Sequence, residues 1–138
     1  MEFSKGQAAI EYLAMVSIAL FIAAPLVIQT QQTSFELKNS FRSSLTKNAL
    51  NNLEEAASLV NSQGEPAKVS IDIRLPEDIK QTNVTENYFH VAREVEGGRL
   101  AHFYNVMDFN VSGSIPNSQG KHTMVVEAWN EQVNVSAK

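Results

Sequence analysis

The sequence predicts an α+β chain: one long N-terminal α-helix, apolar and then amphipathic, followed by a small antiparallel β-sheet domain. Three observations predict it. Residues 8–28 are apolar on every side of a helix. From Phe41 to Val60, apolar residues recur at steps of three and four. Beyond Pro66 the apolar period shortens to two.

The first segment, residues 8–28, consists of Ala, Ile, Leu, Met, Val and Phe, with Glu11, Tyr12, Ser17 and Pro25 as the exceptions. As a helix it would run roughly 31 Å at about 1.5 Å per residue, enough to cross a hydrocarbon layer. The polar residues that follow carry Phe41, Leu45, Ala49, Leu53, Ala56, Ala57 and Val60 at helical spacing. No Pro or Gly stands between Pro25 and Gly64. The simplest expectation is one helix from Ala8 to about Asn61, roughly 80 Å long, with Pro25 as a place where it can kink. Gly64 suits a C-terminal cap and Pro66 a stop.

In the second half, Val69, Ile71, Ile73 and Leu75 alternate with polar residues, which predicts a half-buried strand. "PEDIKQTNVTEN" reads as a connection. "YFHVAREVEGGRLAHFYNV" reads as a hairpin about a two-residue Gly97-Gly98 turn. "MDFNVSGSI" predicts a strand with Met107, Phe109, Val111 and Ile115 on one face and a bulge at Gly113. "HTMVVEAWNEQVNVS" predicts two strands around a turn at Asn130-Glu131. The expected result is a sheet of five or six strands packed on the amphipathic half of the helix.

Composition excludes several functions. A net charge of -4 with no long basic tract leaves no phosphate-binding footprint, so no nucleic-acid partner is expected. The chain has no cysteine, hence no disulfide and no thiolate metal site. No nucleophile elbow, phosphate loop or zinc-binding helix motif occurs, and the acidic pairs Glu54-Glu55 and Glu77-Asp78 read as solvated surface. No enzyme activity and no cofactor are expected. A two-residue turn would place His90 opposite Asn105 and His102 opposite Arg93, on opposite faces of the sheet, so no metal site is expected from them or from His122. The aromatics Tyr88, Phe89, Phe103, Tyr104, Phe109 and Trp129 read as core. Asn83, Asn110 and Asn134 each begin an Asn-X-Ser/Thr sequon and are candidate glycosylation positions.

The informative part is the start of the chain. Lys5 and Gly6 precede Gln7, and Glu11 interrupts the apolar run at once. A secretory signal has a charge-free apolar core, and a plain membrane anchor does not need a carboxylate. An ionisable residue inside a span points to function and requires a partner.

The stretch "KGQAAIEYL" resembles the class III signal peptide of archaeal type IV pilins. The resemblance is tight over these residues and extends in general character to about Ile28. It implies a leader at positions 1–6, cut by a prepilin peptidase between Gly6 and Gln7. It implies a helical segment 7–62 that serves the membrane first and a filament core later, and a β domain over 67–138. Gln7 becomes the new N-terminus and Glu11 the fifth mature residue, where the family carries its acidic residue. Filament-core packing would then involve Ala8, Ala9, Ile10, Tyr12 and Leu13, and further along Val16, Leu20, Phe21 and Leu26. The family's architecture, a long helix and then a β domain, is the one expected above.

What the resemblance implies is a structural subunit of an extracellular pilus-like filament that attaches cells to surfaces. Its partners would be copies of itself, the prepilin peptidase and the assembly machinery. It would sit in the cytoplasmic membrane as a precursor and on the cell surface afterwards. Two alternatives stay open: a minor or non-polymerising pilin-like surface protein, and a binding module on an uncleaved single-span anchor.

Overall fold

The computed structural model describes residues 2–138, with side chains from position 5 onward. Met1 and the side chains at positions 2–4, part of the expected leader, lie outside the described residues. One α-helix, α1, covers Glu2–Gln63 and is followed by strands, with one short 3-10 turn at Glu96–Gly98 among them. It begins earlier than expected because positions 2–7 hold no helix breaker except Gly6. Pro25 lies inside it without ending it. It stops where the sequence indicated. Gly64 adopts the left-handed φ of 69°, and its N–H donates to the carbonyl of Val60 at 3.0 Å. That is the αL cap that a residue with a Cβ would adopt only under strain.

The chain divides into two compact units, Met1–Asn39 and Ser40–Lys138. The first contains the apolar segment of α1, residues 8–28, and the polar turns that follow it. The second joins the end of α1 to seven strands: β1 Lys68–Leu75, β2 Ile79–Thr85, β3 Tyr88–Val95, β4 Arg99–Val106, β5 Val111–Gly113, β6 Gly120–Trp129 and β7 Gln132–Ala137. They form two sheets rather than one, a four-stranded β1-β6-β7-β5 and a three-stranded β2-β3-β4.

Three expectations need correction. The stretch assigned to a connection contains β2. Its residues are mostly polar and only Ile79 is buried, so its strand character comes from pairing with β3 and not from an apolar alternation. The strand expected from Met107 is reduced to β5, which pairs in parallel with β7 and makes the first sheet mixed. Met107, Val111 and Ile115 are buried all the same, because loops on either side carry the first and last of them into the core. Gly113 is required by close approach: a Cβ there would lie 1.8 Å from the carbonyl oxygen of Val135.

The third correction is the β3–β4 hairpin. Its loop holds three residues, Glu96–Gly98, with Val95 opposite Arg99. One extra loop residue reverses the relative parity of the strands. His90 is opposite Tyr104 and His102 opposite Ala92, so both histidines are on one face. The β6–β7 turn is at Asn130-Glu131 as expected, with φ of 51° and 61° at the two positions, the primed geometry that matches strand twist.

The core of the second unit lies between α1 and the sheets. Ala49, Leu50, Leu53, Ala57 and Val60 meet Ile73, Phe89, Val91, Met124, Val126, Val133 and Val135. The helical face is close to the expected one, but Phe41 is exposed, Leu45 is only half-buried, and Thr46 and Leu50 are buried. Leu53 has no exposed surface. Leu53→Ala is therefore expected to lower the stability of this unit by about 2–5 kcal/mol through lost transfer energy and a residual cavity. Urea unfolding followed by Trp129 fluorescence measures it.

Candidate functional site

The junction expected at Gly6 lies within regular helix. A Cβ at Gly6 would meet nothing within 4 Å, and its φ is not in the left-handed region. The fold therefore has no need of glycine here, although glycine in a helix interior is about 1 kcal/mol worse than alanine. Gln7 and Glu11, one turn apart, are on the same face. The side-chain amide of Gln7 donates a long hydrogen bond of 3.4 Å to Oε1 of Glu11. Both residues are exposed, and among the described residues no ion pair involves Glu11. In the uncut chain the nitrogen of Gln7 is an ordinary peptide amide. Hydrolysis after Gly6 would turn it into an α-amino group one turn before the carboxylate.

The helix that follows is bare. Ile10, Tyr12, Leu13, Leu20 and Leu26 are 61–71% exposed and Phe21 is 83% exposed, while Val16, Ala8 and Ala9 are exposed as well. None of the segment's most apolar window is buried, and it is long and apolar enough to cross a membrane. Its hydroxyl groups do not spoil this surface. Ser17, Thr30, Thr33 and Ser34 each donate to the carbonyl four residues back, at 2.8–3.0 Å. A hydroxyl bonded to its own helix costs little to move out of water. The structure thus leaves all the residues expected in helix packing uncovered by the chain itself.

The β unit carries a second group of residues that the sequence did not bring together. On the outward face of β3 and β4, His90 stacks on Tyr104 with ring centroids 4.5 Å apart, and on His102 at 5.2 Å. Tyr88 meets Tyr104 edge to face at 6.0 Å. Nε2 of His90 and Nδ1 of His102 are 3.0 Å apart and share a hydrogen bond. Partial burial, and then the neighbouring His102, hold the His90 pKa below the usual histidine range. His122 is elsewhere, with its Nε2 donating to the carbonyl of Ser118 at 2.8 Å. Of the aromatics read as core, Phe89 is buried, but Tyr104 and Trp129 are 58% and 66% exposed. The one signal that could have found the stack is the number of residues in the β3–β4 loop.

The sequons differ in access. Asn83 and Asn110 are exposed, whereas Asn134 is half-buried in β7, a strand flanked by β6 and β5.

An N-terminal apolar helix with its surface uncovered, followed by a globular β unit, defines a class of architecture. It is that of a chain carried on a membrane-anchoring or signal-type helix, and it is compatible with a pilin-like subunit. No family model, curated protein or solved structure matches this chain.

Proposed function

We propose that the chain is a structural subunit of an extracellular archaeal type IV pilus-like filament, cut between Gly6 and Gln7 and polymerising through its apolar helix. The observation that carries this reading is the junction itself. Gly6 is a glycine its own fold does not use, set one turn and a residue before a carboxylate that has no ion-pair partner among the described residues. A peptidase that needs a small residue at the cut accounts for the glycine. The amine created by the cut accounts for the carboxylate. The negative charge then also lies in the first turn of the mature helix, where the helix dipole favours it.

The bare helix supports the same reading. An all-round apolar helix is stable in lipid, or among other helices, and in no aqueous setting. Lipid serves the precursor and neighbouring subunits serve the filament. Small residues, including Ala8, Ala9, Ala14 and Ser17, let helices approach closely. Subunits related by one repeated, non-closing contact build a helical polymer. The β unit stands outside the filament core and supplies its surface, the part that would attach to other surfaces. The role is structural, without catalysis or cofactor.

Mass spectrometry of the chain recovered from native filaments tests the proposal. The expected mature N-terminus is Gln7. An intact Met1, or a cut near Ala23-Ala24 as in secretory processing, would overturn it. Abundance in the purified filaments separates a major subunit from a minor or non-polymerising one.

A further inference from the structure

We propose that His90 and His102 chelate a divalent d-block cation, copper(II) most tightly, on the outward face of the β2-β3-β4 sheet. The two residues are diagonal neighbours across β3 and β4, and Nε2 of His90 and Nδ1 of His102 are 3.0 Å apart. Two nitrogens at right angles about a metal, with bonds of about 2.0–2.1 Å, are separated by about 2.9 Å; in a tetrahedral site they are separated by about 3.3 Å. The spacing of the hydrogen-bonded pair is already close to the right-angled value, so only small ring movements separate the two states. The nitrogens now share one proton. For a metal to bind, the nitrogen that carries the proton releases it to solvent while the other nitrogen of the same ring takes one up; both facing nitrogens then have lone pairs, and a small rotation of the rings about their Cβ–Cγ bonds aims these at a common point above the sheet.

The surroundings favour this exchange. Tyr104 stacks on the ring of His90 with planes 19° apart, which keeps the imidazole on this face of the sheet. Ala92, opposite His102 on the same face, is fully covered and leaves room for both rings above it. Nearby on the three-stranded sheet, Glu94 is occupied by Lys80 at 2.8 Å. Among the described residues no third histidine, cysteine or carboxylate joins the pair, so water fills the other positions. Copper(II) binds nitrogen donors most tightly of the common divalent ions and tolerates a tetragonal set completed by water, whereas structural zinc sites recruit four protein ligands.

The test is a copper(II) titration of the full chain in detergent micelles, in a non-coordinating buffer at neutral pH, followed by paramagnetic broadening of the imidazole resonances. The expected result is selective broadening of His90 and His102 at one equivalent. The affinity should fall about tenfold or more in His90→Asn and in His102→Asn, because each loses the chelate, and should be unchanged in His122→Asn. Equal affinity in all four chains would overturn the proposal. So would broadening in the unsubstituted chain that spares His90 and His102, a readout that does not depend on any variant folding.

Discussion

Glu11→Ala is expected to leave the chain in the membrane and to remove it from filaments. A carboxylate inside a span opposes insertion, so its loss leaves insertion intact or improves it. On the proposed reading the same carboxylate meets the α-amino group of Gln7, in its own chain or a neighbour's, in a core without water. Truncating one member of such a buried charge pair costs about 2–5 kcal/mol per subunit. At ~1.4 kcal/mol per factor of ten, the weaker end of that range raises the concentration needed for assembly about thirtyfold. Glu11→Gln, similar in size but uncharged, should fail in the same way. The measurement is an immunoblot of membrane and sheared-filament fractions. Normal filaments at normal levels would refute the pairing and leave the leader cut to be judged by the mature N-terminus alone.

The second large effect concerns the β unit and does not depend on assembly. Arg93 is 1% exposed. Its Nε and one terminal nitrogen donate to Oδ2 of Asp78 at 3.0 and 2.7 Å, and the other terminal nitrogen donates to Oγ of Ser43 on α1 at 2.7 Å. Arg42, which pairs with Glu77, approaches the same Asp78 oxygen at 3.7 Å. The second Asp78 oxygen is buried with no hydrogen-bond partner. This cluster joins α1, the β1–β2 turn and β3. Arg93→Met leaves a mostly buried carboxylate with only the more distant Arg42 and Lys80 to balance it, and is expected to destabilise the unit by about 3–5 kcal/mol. Arg93→Met combined with Asp78→Leu should recover much of that loss, since an apolar pair of similar volume leaves no buried charge. Urea midpoints for the two variants decide it. If Arg93→Met alone unfolds at the original midpoint, the cluster contributes nothing net.

The local features of this chain were legible because their causes are local. The helix is written in a run of apolar residues followed by three- and four-residue spacing, and its end in one glycine that can take a positive φ. β1, β6 and β7 are written in alternation, and the Asn130-Glu131 turn in two residues. The proposed leader junction rests on a different signal: Gly6 and Glu11 break the pattern around them, and the fold does not require either.

Pairing is the part that local pattern does not contain. β2 has little apolar alternation and exists because β3 offers it a hydrogen-bonded edge. β5 is three residues long and runs parallel to β7, a contact made through the core and not along the chain. The buried Arg93 sits in a strand pattern that gives no sign of Asp78 or Ser43, since those partners are distant in sequence.

The sequence by itself determined an α+β chain with an apolar helix and a capped end. The tertiary structure alone decided that His90 and His102 share a face. A side chain's period along a strand is two, so a single added loop residue exchanges the faces, and loop length is selected by the fit of whole strands to one another.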